Sequence, residues 1–185
     1  MAQRKYIQSV LDAAKGRPKS TEWYKDKIKE FGTPGAMDLI RDGKRANEPF
    51  FGRLNMFFYD PKYKKTLPYY DTFPLVLPLE NYPDGFLGIN LHYLPMNLRI
   101  RLLDRLVDYS NNIKFDESTR LVVDYSKLKN INLIKPTVKR YLAGRVKTQF
   151  RRIDADEFTV AALLPVARFK KASASQVYKD SRAMI

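Results

Sequence analysis

Apolar positions recur along this chain with two different periods, and the changes of period divide it. Near the N-terminus, Tyr6, Ile7, Val10 and Leu11 make one stripe of a helix that Gly16 and Pro18 stop. Ser20 is an N-cap residue for a second helix, with Trp23, Tyr24, Ile28 and Phe31 along one side and Gly32 and Pro34 at its end. A third short piece, Ala36 to Arg41, ends at Gly43. Helices this short are not stable alone, so they are expected to dock on a larger body.

From Gly52 the pattern becomes short apolar and aromatic runs: Gly52 to Tyr59, Thr72 to Leu79 and Gly85 to Tyr93. Asp60-Pro61, Leu67-Pro68 and Pro83-Asp84-Gly85 punctuate them, which predicts three strands, read as antiparallel. Pro74 and Pro78 lack an amide hydrogen and lie four residues apart, which predicts that their strand is an edge with the prolines facing outward. In the third run Ile89, Leu91 and Tyr93 share one strand face, and Asn90, His92 and Leu94 the other.

The helical period returns after Pro95, with Leu98, Leu102, Leu103 and Leu106 opposite Arg99, Arg101, Arg105 and Asp108, and Asn111-Asn112 as the stop. Residues 116–134 read either way: Asp116 suits a helix cap and Leu121-Val122-Val123 suits a strand. Pro136 opens a predicted helix through about Phe150. Asp154 caps a segment from Ala155 to Leu164 that Pro165 ends, and Ser175 to Met184 forms a last helix. The expected fold class is α+β: a small antiparallel sheet or barrel over about residues 50–94, N-terminal helices, and a basic, mainly helical C-terminal region.

Composition narrows the chemistry. The chain has 185 residues, no cysteine, one histidine and 44% hydrophobic residues, enough apolar material for a core. Without cysteine there are no disulfides, thiolate nucleophiles or iron–sulfur clusters, and a single histidine makes a zinc site an uncommon one. No run approaches the roughly 18 apolar residues of a membrane span, and the start of the chain lacks a signal-peptide core, so a soluble, non-secreted protein without a membrane partner is expected.

Charge is distributed unevenly. Lys and Arg number 34 against 20 acids, a formal net charge of +14. Residues 1–48 carry eleven bases and seven acids, residues 49–95 four of each, and residues 96–185 nineteen and nine. The neutral middle holds twelve of the 24 aromatic residues. We read one domain, 1–185, in three parts: a helical N-terminal extension (1–48), an aromatic β core (49–95) and a basic helical region (96–185).

Between Asp124 and Asp154 lies a stretch with nine bases and no acid. On the predicted helix, Arg140, Lys147 and Arg151 fall on one face beside an apolar arc of Leu142, Val146 and Phe150. Lys139, Arg140, Arg145, Lys147, Arg151 and Arg152 are therefore the candidates for contact with nucleic acid or with an acidic protein partner. Phe57, Phe58, Tyr59, Tyr69 and Tyr70 are read as core or protein interface, because single-strand stacking platforms normally come interleaved with bases and the middle part is neutral.

Catalytic candidates are absent. His92 is read as a structural histidine at the sheet edge, and Asp60, Asp71 and Asp84 as turn residues. There is no Walker loop or GxGxxG, so no cofactor, metal site or small-molecule substrate is assigned.

The run from Phe57 to Leu79, followed by Gly85 to Pro95, resembles small virion proteins of large contractile-tailed phages, and Gly16-Arg17-Pro18-Lys19-Ser20 and Leu164-Pro165-Val166-Ala167-Arg168-Phe169 look similar to the same group. The resemblance implies a phage structural protein, located in the virion and in host cytoplasm during assembly, with other virion subunits as partners. The first expectation is a non-enzymatic adaptor of the tail or baseplate. The alternative is a basic DNA-binding protein at the neck or genome end, a DNA end protector, and a metal-dependent nuclease comes third.

Overall fold

A computed structural model describes residues 5–108 and 125–185. The stop at Asn111-Asn112 and the readings of 116–124 lie outside them. The elements are α1 (Tyr6–Ala13), α2 (Thr21–Phe31), α3 (Ala36–Arg41), β1 (Arg45–Ala46), β2 (Leu54–Met56), β3 (Tyr70–Asp71), β4 (Leu75–Tyr82), β5 (Gly85–Asn90), α4 (Met96–Asp108), α5 (Tyr125–Leu128), β6 (Val138–Leu142), β7 (Phe150–Ile153), α6 (Phe158–Leu163), β8 (Phe169–Lys170) and α7 (Ala174–Met184). The class is α+β, as expected.

The N-terminal helices follow their local signals. Ser20 Oγ accepts the Trp23 N–H at 3.1 Å and caps α2, and Gly32 leaves it at φ 80°. Ile7, Val10, Ile28, Leu39 and Ile40 are buried, so all three helices dock on one core.

Six strands form one antiparallel sheet in the order β1-β7-β2-β4-β5-β6. The sheet is open and does not close into a barrel. Alternation along its strands makes two faces. Leu54, Met56, Leu75, Leu77, Ile89 and Ile153 meet the helices in the main core. Phe57, Val76, Phe86, Tyr141 and Phe150 point the other way and gather, with Tyr59, into a smaller aromatic core. A separate ribbon pairs β3 with β8.

Four expectations are corrected. The predicted helix from Pro136 to Phe150 does not form; Val138–Leu142 and Phe150–Ile153 are strands joined through a short 3-10 turn over Ala143–Arg145. The alternation of Val138, Arg140 and Leu142 with Lys139 and Tyr141 also fits period two, and β5 offers five registered partners from Gly85 to Ile89. Pairing and burial of Tyr141 decide between the two. Hence the sheet draws on the C-terminal region and outgrows residues 50–94.

Second, β4 is not an edge strand, since it lies between β2 and β5. Its registered pairs with β2 stop at Val76, and the β5 register shifts between Pro78 and Glu80. Pro78 is tolerated because the strand beyond Val76 has no registered β2 partner and is irregular on the other side. Third, His92 is not on a strand. Asn90 Oδ1 accepts the His92 N–H at 3.0 Å and starts a 3-10 turn, Leu91–Tyr93. Fourth, Arg99 is not on a solvated face: it is fully buried, donating to the carbonyls of Leu94 at 2.7 Å and Ala162 at 3.0 Å and to Tyr178 Oη at 2.8 Å.

Candidate nucleic-acid interface

Among the described residues β6 is one edge of the sheet, opposite β1, and the loop that follows Tyr59 arches over it. Their junction is fixed by an antiparallel bridge between Tyr59 and Val146, by Tyr59 Oη accepting the Leu142 N–H at 2.9 Å, and by the Asp60 N–H donating to the Arg145 carbonyl at 3.0 Å. Lys171 Nζ holds the far side of the loop, donating to the carbonyls of Lys65 at 3.1 Å and Leu67 at 2.7 Å. Between loop and edge lies a cavity of about 430 Å³, whose walls include Tyr59, Tyr63, Tyr69, Tyr70, Tyr93 and Tyr141. Lys62, Lys139 and Arg140 line it as well.

Cations surround these rings. Lys139 Nζ sits 4.0 Å from the centroid of Tyr93, with no carboxylate in ion-pair range among the described residues. Burial lowers its pKa, since a half-buried ammonium is short of water. The Arg140 guanidinium lies 4.3 Å from the Tyr82 centroid and pairs with the exposed Asp84. Arg140 and Arg145 both act on the Tyr59 hydroxyl, and Lys147 and Arg145 on Asp60. The tyrosines themselves stay neutral: desolvation raises the pKa of Tyr59, Tyr69, Tyr93 and Tyr141. They offer ring faces and hydroxyls rather than phenolate charge.

Beneath the cavity, Asp71 is nearly enclosed, at 4% exposure. Its Oδ1 accepts the N–H groups of Phe73 at 3.0 Å and Arg168 at 3.1 Å. Its Oδ2 accepts Asn90 Nδ2 at 3.1 Å and lies 2.9 Å from His92 Nδ1. Burial works to raise the carboxyl pKa, but the His92 side chain and the bonds from Phe73 and Asn90 together hold it below its ordinary value. Burial pushes the His92 imidazole down, against the attraction of Asp71. A neutral ring then donates Nδ1–H to a carboxylate. Fully buried, this cluster fastens the β3–β8 ribbon and the Leu91–Tyr93 turn to the sheet.

The structure brings together only part of the predicted set. Lys139 and Arg140 are on β6, Arg145 in the turn after it, and Lys147 just beyond. Arg151 and Arg152 are on β7, separated from β6 by β2, β4 and β5. Arg151 is 1% exposed, with Nη2 at 3.1 Å from Glu157, and Arg152 is bound to Asp154 at 2.7 Å. Among the aromatics, Phe57 is the hub of the small core, 4.8 Å from Phe150 and 5.4 Å from Tyr141. Phe58 packs on Phe73 at 4.9 Å. Tyr59, Tyr69 and Tyr70 line the cavity instead. Sequence reasoning missed Lys62, Tyr93 and Tyr141; the alternation of Val138, Arg140 and Leu142 with Lys139 and Tyr141 was the available signal. No group of three His, Cys, Asp or Glu side chains among the described residues is placed to hold a metal ion.

A family model described as phage T4 terminal DNA protecting protein matches residues 2–182. No curated protein and no solved structure matches the chain. The chain belongs to the phage terminal DNA protecting protein family, in keeping with its resemblance to phage virion proteins. The match favours the DNA-end alternative over the tail or baseplate reading.

Proposed function

We propose that this protein binds the termini of phage DNA in the host cell and covers them without cutting, holding the end chiefly through backbone phosphates. On this reading its partners are the genome end and, when the genome is packaged, neighbouring virion subunits at the neck. The observation that carries it is the row of cations along one exposed sheet edge: Lys139, Arg140, Arg145 and Lys147, joined by Lys62 from the loop. Of the acids beside this edge, half-buried Asp60 is paired with Lys64 and exposed Asp84 with Arg140, while Glu80 accepts from the Tyr82 hydroxyl and Asp180 acts on Tyr69. Phosphate contact of this kind is sequence-independent, as a protein that recognises any terminus requires. Asp71 and His92 are committed to each other inside the fold and are given no catalytic role.

Fluorescence anisotropy against a blunt duplex, across roughly 50 to 300 mM salt, tests this reading. About four neutralised phosphates give a log–log slope near −3.6, and replacing Lys139, Arg145 and Lys147 by glutamine removes about 2.7 of it. A covalently closed circle of the same sequence is expected to compete poorly. A slope near zero, or equal competition by the circle, refutes end binding.

A further inference from the structure

The tyrosine-lined cavity has a shape that phosphate contact alone does not use. A volume of about 430 Å³ corresponds to a cube about 7.5 Å on a side. One groove of B-DNA is already about 12 Å wide, so a duplex face cannot enter. A single base can. Ring faces are what a base requires, and because every base has a π-face, such a pocket accepts any of the four. Tyr69 and Tyr93 stand 6.1 Å apart with their planes 35° from parallel, and the edge of Phe169 backs Tyr93 at 5.3 Å. Lys139, which has no carboxylate in ion-pair range among the described residues, stands over the same ring.

We propose that this cavity takes the terminal nucleotide of one DNA strand, unpaired from its complement, with the base among the tyrosines and the adjoining phosphate at Lys139. The proposal rests on the end-binding reading and adds the ligand. Extracting a base costs a few kcal/mol of stacking and pairing, least where the base is already unpaired. The terminus is also the only place where leaving the stack breaks contacts on one side alone. A preference for ends over interior DNA then follows from the pocket, while the flanking cations supply affinity. The walls are built before DNA arrives, since the loop is fastened at Tyr59, Asp60, Lys65 and Leu67, so little ordering cost is left for binding.

The full-length protein is titrated with hairpin duplexes that present one open end: blunt, with one unpaired nucleotide on the 5′ or the 3′ strand, or with an abasic residue in place of that nucleotide. The unpaired nucleotide on one of the two strands is expected to bind about tenfold more tightly than its abasic counterpart, and 2-aminopurine at that position is expected to be quenched on binding. Tyr69→Leu and Lys139→Met each reduce the ratio toward one while salt-dependent binding through the other cations persists. Equal affinity for base and abasic ends, with 2-aminopurine unquenched, overturns the pocket and leaves end binding standing. Failure to bind any of these DNAs overturns both.

Discussion

Replacing Asp71 with asparagine tests whether the buried cluster carries the cavity wall. The carboxylate accepts four N–H groups, two on each oxygen. Asparagine keeps Oδ1 and so the bonds from Phe73 and Arg168, but it turns an amide NH2 toward Asn90 Nδ2 and His92 Nδ1. The His92 ring relieves one conflict by changing tautomer, which makes Nδ1 an acceptor. Asn90 has no such escape. Its Oδ1 already holds the His92 N–H at 3.0 Å, and turning the amide would give up that bond.

One buried donor therefore faces another, at about 1–3 kcal/mol, and the remaining bonds lose the negative charge that roughly doubled their strength. The total is about 4 kcal/mol. With a urea m-value near 2 kcal/mol/M the midpoint falls by roughly 2 M at unchanged m. The exposed Asp156→Asn serves as control, with a shift within about 0.5 kcal/mol. A midpoint for Asp71→Asn within about 0.5 M of the parent would refute the claim that this cluster fastens the ribbon to the sheet.

Two further changes probe the same region. The His92 pKa is depressed in the folded state, so the unfolded chain takes up a proton first as pH falls below about 6.5; stability must drop there by up to about 1.36 kcal/mol per pH unit. His92→Gln should flatten that limb between about pH 6.5 and 5 in urea midpoints, and an unchanged slope contradicts a neutral buried ring. At Gly85, φ is +156° and an added Cβ would stand 1.9 Å from the Tyr141 carbonyl oxygen. Gly85→Ala should cost about 1–3 kcal/mol and weaken end binding by displacing β6; wild-type melting and binding together would show that β6 is not held as described.

How much was legible in the sequence follows from how local each signal was. Ser20, Gly32, Pro95 and the leucine stripe of α4 act within a few residues of themselves, and the helices they predict are present. The second half of the sheet depended on partners far along the chain. Val138–Leu142 reads equally well as helix or strand until β5 lies beside it, and Pro78 marks an edge only if the extent of β2 is unknown. Asp71 looked only like a turn residue because its local bond, from the Phe73 N–H, is of that kind, while its other three partners are supplied from 19 to 97 positions away. The charge of Arg151 was visible, but its enclosure was not, since that comes from Glu157 and the close approach of Gly43.

The same distance explains why the binding surface was read as two unrelated features. Along the chain the aromatic segment of residues 49–95 has no net charge and the bases of residues 139–147 hold few aromatics, so neither alone meets the interleaving expected of a stacking site. Antiparallel pairing of β6 with β5 brings Tyr141 and Lys139 to the face that Phe86 already occupies. The bridge from Tyr59 to Val146 then draws the tyrosine-bearing loop across the basic edge. Interleaving is a property of the folded edge, produced by two contacts about 80 residues apart in sequence. Surface charge changes that leave those contacts intact should alter affinity, whereas changes at Gly85 or Asp71 should remove the site by separating its halves.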